Sequence, residues 1–379
     1  MASKKEDKIS LSSEQRELLD GAVQEERPLE YVETGVVGLD LALTDGKGLP
    51  MGSSTLLWAL PGCGKTTVVA DVCKRLIKKN KAMGEPFKVL YLDVEDSTGL
   101  ITAMGLDEFE KTKDFLHVRK RLCWRNVETF YDAVLQGYGD YKNVKLIVID
   151  SVNSVLSDQN MKNSVADGDY GTKSRERSAF YSKYLPLCKE KGVSSFFISQ
   201  VRQKQNASLY EDPNKAAVSN VDLHYVDVIL KCSASTNKTD ASKIEEETIF
   251  GKDTVISKYI FKMDSKATGC KNRYIKGHAV EMMVEKGKGV CNFYAVRKLL
   301  EGNKLLKGVS GWYTFDPDLI KTFNLPDHKY KLKEVNEIIH KNTGELVDML
   351  KKMGKYKVSI QETEVPITED DDELIEEEE

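Results

Sequence analysis

The chain has 379 residues, with 56 lysines and arginines against 60 aspartates and glutamates, a formal charge of −4. That length suits two to three domains or one large core with appendages, and no stretch approaches bilayer-spanning length, which argues against a helical membrane protein. The seven cysteines are odd in number, widely spread and never in a C-x-x-C pair, so neither a disulfide framework nor a zinc site is indicated. The first residues lack an apolar signal core, and the expectation is a soluble protein in a reducing compartment.

In chain order, Ser12 and Gln15 have capping-box spacing and open a short helix with Leu18, Leu19, Ala22 and Val23 as its apolar side, until Pro28 ends it. From residue 31, short apolar runs alternate with helical segments. The runs at 54–59, 88–93, 144–150, 194–199 and 226–231 are nearly continuous in apolar character, as strands covered on both faces are. An α/β fold with a mostly parallel central sheet flanked by helices follows. The alternating runs at 255–263 and 278–285 extend the sheet as half-exposed strands. Residues 331–353 read as two short helices broken near Thr343 and Gly344. The run 369–379 holds nine acids and no base, leaving 51 acids against 56 bases, a body of net charge +5. Such a tail stays solvated, serving either solubility or competition with nucleic acid for basic surface.

A glycine-rich turn joins the first of these runs to a helical segment: Ala59, Leu60, Pro61, Gly62, Cys63, Gly64, Lys65, Thr66 and Thr67. This is a phosphate-binding loop. Backbone N–H groups at a helix N-terminus offer a triphosphate several donors at once. Gly62 and Gly64 permit close approach, Lys65 reaches the β and γ phosphates, and Thr66 is placed to ligate magnesium. Ala59 stands where the usual pattern has its first glycine.

Carboxylates that close apolar strands face the ligand crevice of such a sheet. Asp150 has the position of the acid that holds the hydration shell of magnesium. Asp93 and Glu95 close another strand, and Glu95 is the candidate to orient and polarise an attacking water. The ordinary alternative for each acid is an N-cap or a solvated strand end. Gln200 closes a further strand with a neutral amide that could touch a γ-phosphate and lose it on hydrolysis. Two long polar connections, 157–168 and 201–221, follow the Asp150 and Gln200 strands, and connections of that length are functional or disordered. Lys162, Lys173, Arg175 and Arg177 border the first, and Arg202 and Lys204 the second. Nucleic acid needs such charges, and a solvated face carries them as well.

Taken together, these segments resemble the RecA family of DNA strand-exchange recombinases, in order from about residue 31 to about residue 315. The matching pieces are Thr34 to Leu43, Gly48 to Gly52, the phosphate loop, Asp93 to Glu95, Ile149 to Val152, Ile198 to Arg202, Lys271 to Arg273, Asn292 to Tyr294 and Gly311 to Tyr313. The short N-terminal and divergent C-terminal parts resemble phage-encoded members, the UvsX group, more than bacterial ones. The resemblance implies a RecA-type P-loop ATPase core at 31–297, preceded at 1–30 by a helix and linker that dock on a neighbouring protomer. A small α-rich C-terminal domain at 298–360 and an acidic disordered tail at 361–379 would follow. It further implies ATP and Mg2+ as ligands, DNA-stimulated ATP hydrolysis, and a homo-oligomeric helical filament on single-stranded DNA that also engages double-stranded DNA. Single-strand-binding and mediator proteins would be partners, with no membrane, in the cytoplasm of a bacterial cell or phage host.

The resemblance also assigns roles. Lys65, Glu95 and Gln200 form the catalytic set, joined by Lys271 and Arg273, which reach the ATP of the neighbouring subunit; arginine at the second position keeps the charge and adds a planar donor fork. Without the resemblance these two read as a solvated strand end. Arg175 and Arg202 match basic residues of the DNA loops, with Lys162, Arg177 and Lys204 beside them. Thr102 is the nearest match to an adenine-stacking tyrosine, and Leu209 and Tyr210 are the candidates to wedge between bases. A hexameric helicase with the same core shares Lys65, Glu95 and Asp150 and is the alternative. A nucleotide-gated binding module is a further one.

Overall fold

The computed structural model describes residues 12–13, 28–162, 171–200, 219–234, 258–285 and 287–357. The expected N-terminal helix, residues 201–218 of the second polar connection with Arg202, Lys204, Leu209 and Tyr210, and the acidic tail lie outside the described residues. The chain divides at Glu30 and Tyr31 into two compact units, and the elements below belong to the second.

A short pair, β1 (Tyr31–Val32) and β2 (Leu49–Pro50), brackets α1 (Val37–Thr44). The core then runs β3 (Ser54–Ala59), α2 (Lys65–Ala82), β4 (Lys88–Asp93), α3 (Thr98–Ala103), α4 (Asp107–Lys111), β5 (Phe115–Arg119), α5 (Trp124–Leu135) and β6 (Val144–Asp150). It continues with α6 (Asp158–Lys162), α7 (Thr172–Lys191), β7 (Ser194–Gln200), α8 (Asn220–Tyr225), β8 (Val228–Ala234), β9 (Lys258–Asp264), β10 (Lys271–Asn272), β11 (Ala279–Glu285) and β12 (Gly289–Cys291). Last come α9 (Asn292–Gly302), β13 (Leu306–Val309), β14 (Trp312–Phe315), α10 (Pro317–Thr322), β15 (Tyr330–Lys331), α11 (Leu332–Lys341) and α12 (Thr343–Lys352).

The central sheet has the order β12-β11-β9-β8-β3-β7-β6-β4-β5, with β10 also paired to β8. From β8 to β5 every pairing is parallel, and β9 to β12 add antiparallel neighbours on one side. Alternation explains why the parallel strands are apolar throughout. Leu57, Val89, Tyr91, Leu146, Val148, Phe196 and Ile198 face one apolar layer, with Val68, Val69, Val72, Cys73 and Leu76 of α2 packed in it. Leu56, Trp58, Leu90, Leu92, Ile147, Ile149 and Phe197 face the other, under Trp124 and Tyr131 of α5 and Phe180, Tyr181 and Tyr184 of α7. Each such side chain stabilises the fold by about 1.5–3 kcal/mol relative to exposure.

Three details depart from the sequence expectations. The connection 157–168 begins with a helical turn, α6, and not with irregular chain. β5 and α7 were not anticipated; α7 carries Pro186 inside it and buries only Phe180, Tyr181, Tyr184 and Cys188. The C-terminal part holds α11 and α12 where two short helices were expected, and also α10 and a three-stranded antiparallel sheet of β13, β14 and β15. α9 runs through positions 297 and 298, and Leu299, Leu305, Phe315, Val335, Ile339 and Leu346 join the same apolar layer as α2. No described helix is long and apolar enough to cross a membrane.

Candidate nucleotide site

Strand register brings the candidate residues to one edge. Ala59 lies opposite Gln200, Asp150 opposite Ile198, and Asp93 opposite Asp150. All four strands run parallel, so their C-terminal ends gather the phosphate loop, both carboxylate positions and the glutamine on the side where open α/β sheets bind ligands.

The loop itself is shaped by its glycines. Gly62 has φ +77° and Gly64 φ +96°, a region that other residues enter only with strain. A Cβ on Gly64 would lie 1.8 Å from the hydroxyl oxygen of Tyr259, which β9 lays against the loop, whereas a Cβ on Gly62 would meet nothing within 4 Å. α2 begins at Lys65. Lys65 is 5% exposed, and its ammonium donates to the carbonyls of Ala59 and Leu60, both at 3.1 Å. Burial lowers its pKa, opposed by nearby Cys232, Cys63, Asp150 and Glu95.

Thr66 Oγ1 donates to Asp150 Oδ2 at 2.9 Å, and the buried Tyr91 hydroxyl donates to the same oxygen at 2.8 Å. The other carboxylate oxygen, Oδ1, is buried with no hydrogen-bond partner among the described residues. Burial pushes the Asp150 carboxyl up to about 6, with Glu95 and Asp93 adding to the rise. A carboxylate with one buried, unsatisfied oxygen beside a threonine hydroxyl at the start of α2 suits a hydrated magnesium ion, which keeps several waters and takes few protein ligands. Among the described residues, no three His, Cys, Asp or Glu side chains form a metal cage.

Glu95 is not open to water on both oxygens. Oε1 accepts from the hydroxyls of Ser151 and of Ser154, the latter at 2.9 Å, and Oε2 accepts from Gln200 Nε2 at 2.5 Å. The amide expected to meet a phosphate is therefore bonded to the residue expected to hold the water. Asp93 is committed elsewhere. It accepts from the Ser97 backbone N–H at 2.8 Å and pairs with His117 Nε2 at 3.0 Å, and His117 Nδ1 lies 3.0 Å from Glu110. Burial raises the Asp93 pKa, and the His117 and Ser97 hydrogen bonds outweigh that and hold it below its usual range. Asp93 thus anchors β4 to β5 and does not serve as a second free acid.

Lys271 and Arg273 lie at the other end of the sheet. Lys271 and Asn272 pair with Ile229 and Val228 at the start of β8, and the Arg273 backbone reaches Asp227, which bonds Ser54 at the start of β3. Ser54 and Ala59 are separated by the length of β3, roughly 17 Å at 3.3 Å per residue. Neither side chain spans that distance to its own phosphate loop. Within the chain, Lys271 donates to the Leu223 carbonyl, and Arg273 donates to Asp227 Oδ1 and the His224 carbonyl, each at 3.1 Å.

The basic residues assigned to DNA separate into groups. Arg175 is exposed on the first turn of α7. Arg177 is a correction: its guanidinium faces inward, donating to Ser219 Oγ and lying 3.5 Å from Asp222, which is 1% exposed. It clamps α8 to α7 and is not available to a phosphate. The backbone of Lys162 closes α6, and its side chain lies outside the described residues, as do Arg202 and Lys204 entirely. Thr102 sits exposed on α3.

Sequence reasoning missed Tyr91, Ser151, Ser154, Asn153, His117 and Tyr259. Hydroxyls immediately after a strand-closing aspartate were a usable signal for Ser151 and Ser154. A lone tyrosine in an apolar strand was not.

A family profile described as an AAA domain matches residues 44–206. Among curated proteins the chain is 25% identical over 203 residues to the protein RecA of a Nitratiruptor species, covering 53% of this chain and 54% of the relative. It is 24% identical over 203 residues to the protein RecA of Sulfurimonas denitrificans, with the same coverage of 53% and 54%. With that of Mycoplasma genitalium it shares 25% over 178 residues, 46% of this chain and 48% of the relative. The chain spans about half the length of the curated relatives it matches. In fold, loop and sequence, then, it is similar to RecA-like P-loop ATPases.

Proposed function

We propose that this chain is an ATP-dependent DNA recombinase, which forms filaments on single-stranded DNA and promotes homologous pairing and strand exchange with DNA-stimulated ATP hydrolysis. The observation that carries the reading is the split of the site between two ends of one sheet. Lys65, Thr66, Asp150, Glu95 and Gln200 gather at the C-terminal strand ends, while Lys271 and Arg273 lie at the start of β8. A second copy stacked end to end would bring its two cations to the first copy's phosphates.

In this reading Lys65 leaves the Ala59 and Leu60 carbonyls for the β and γ phosphates, and the loop N–H groups hold the remaining oxygens. Magnesium would be held by Thr66 and, through water, by Asp150, and it would neutralise triphosphate charge. Glu95 orients and polarises the attacking water once Gln200 releases Oε2. The Gln200 NH2 carries two N–H donors and one is given to Glu95; turning the amide toward a γ-phosphate would loosen that bond, and this makes it the switch. Arg175, with Lys162, Arg202 and Lys204, supplies charge for the DNA backbone. Residues 1–30 would dock on the next protomer, 31–297 form the ATPase core, 298–360 the small domain, and 361–379 screen basic surface. The divergent terminal parts favour a phage-type member acting in the host cytoplasm.

The test is joint-molecule formation between homologous single- and double-stranded DNA, with ATP and magnesium. Joint molecules with DNA-stimulated hydrolysis support the reading. Fuel-dependent unwinding of a forked duplex without joint molecules would replace it with a hexameric helicase of the same core.

A further inference from the structure

The turn after β6 grips both halves of the switch. Ser151 and Ser154 hold Glu95 by their hydroxyls, and between them the Asn153 amide nitrogen donates to Ser199 Oγ at 3.0 Å and to the Gln200 carbonyl at 2.8 Å. The backbone reinforces this contact, since Val152 N–H donates to the Ile198 carbonyl at 2.9 Å. Asn153 therefore fixes the backbone pivot from which the Gln200 side chain reaches Glu95. The backbone carbonyl of Asn153 accepts from Lys173 Nζ. Lys173 stands on the first turn of α7, two residues from the exposed Arg175. A phosphate oxygen binds an ammonium more strongly than a carbonyl does. A polyanion drawn to this turn thus competes for the lysine that braces Asn153.

Resting on the ATPase reading above, we propose that Asn153 is a positioning residue, which sets the Gln200 pivot against Glu95 and relays polyanion contact at the first turn of α7 to the hydrolytic carboxylate. A purely structural tether would act differently. Its loss would lower stability and every activity together, with no special relation to Gln200.

The experiment measures ATP turnover and nucleotide affinity of the full chain, with and without a single-stranded oligothymidylate, for wild type, Asn153→Ala, Gln200→Ala and the double variant. Asn153→Ala is expected to lower the stimulated kcat by about 10-fold, as the bond that holds the Gln200 carbonyl is lost. It should bring the stimulation ratio close to one and leave nucleotide affinity within about twofold. The double variant should fall no further than Gln200→Ala alone. Independent, multiplicative losses would overturn the proposal, as would full oligothymidylate stimulation in Asn153→Ala. If Asn153→Ala melts below the assay temperature, Asn153→Asp carries the same test, because it keeps the volume and replaces the donor with an acceptor. A wild-type chain without turnover under all these conditions would overturn the ATPase reading and this inference with it, whereas turnover with multiplicative losses overturns the inference alone.

Discussion

At the residue scale, Gly62 and Gly64 look alike in sequence and differ in space. Gly62→Ala meets no neighbour and bears only the strain of a positive φ, about 1 kcal/mol. Gly64→Ala also drives a methyl into the Tyr259 hydroxyl, so nucleotide binding is expected to survive the first substitution and fail in the second. Calorimetric titration with an ATP analogue checks both. Tyr91→Phe removes one of two donors to Asp150 Oδ2 and should weaken the magnesium dependence of nucleotide binding about 3- to 10-fold; an unchanged magnesium midpoint would remove Tyr91 from the site. Asp40 makes a separate prediction. It is 3% exposed, accepts the Thr34 N–H at 3.0 Å and the Thr34 hydroxyl at 2.6 Å, and burial pushes its carboxyl from 3.8 up to about 7. Between those values the folded chain binds more protons than the unfolded one, so stability falls as pH rises through that window. Asp40→Asn keeps an acceptor for Thr34 and removes the titration. It should match wild type near pH 4 and exceed it by about 4 kcal/mol at pH 8, measured by urea unfolding; parallel stability curves would contradict this.

At the element scale, the legible parts were those whose residues carry their own signal. β3, β4, β6 and β7 are apolar runs ending in small, acidic or amide residues, and the loop before α2 has its glycines, lysine and threonine in fixed order. β5, with His117 and Arg119 in a five-residue edge strand, offers no such run. α7 opens with Lys173, Arg175, Glu176 and Arg177 and contains Pro186, so charge and proline hide its buried aromatic stripe. Arg177 shows the cost of reading charge without packing: one cation in that cluster belongs to the α7–α8 clamp. Removing it takes the counter-charge from the buried Asp222, which keeps hydrogen bonds from Ser219 and Tyr181, so Arg177→Ala should destabilise the fold by about 1–3 kcal/mol. Arg175→Ala should leave the melting temperature unchanged and weaken oligonucleotide binding with a shallower salt dependence. Thermal melts and fluorescence anisotropy of both variants separate the roles, and the reverse pattern would restore Arg177 to the DNA set.

At the scale of the whole molecule, the sheet has polarity. One end carries the phosphate loop and the other carries Lys271 and Arg273, so a contact that joins them uses two different surfaces of the same chain. Such heterologous contacts close into rings or propagate as helices, and they do not make two-fold dimers. The Arg273–Asp227 pair, half exposed on the arginine side, costs little to exchange for a phosphate. Burial lowers the Lys271 pKa, and the neighbouring Arg273 lowers it further, so a triphosphate would relieve a crowded pair of cations. Mixing two inactive variants tests the proposed shared centre most directly. Lys65→Ala keeps the donated cations and loses the loop, and Lys271→Ala with Arg273→Ala does the opposite. Each alone should lose at least about 100-fold in turnover, and an equimolar mixture should recover hydrolysis at interfaces that pair an intact loop with intact cations. No recovery in mixtures shown to co-assemble would contradict the account.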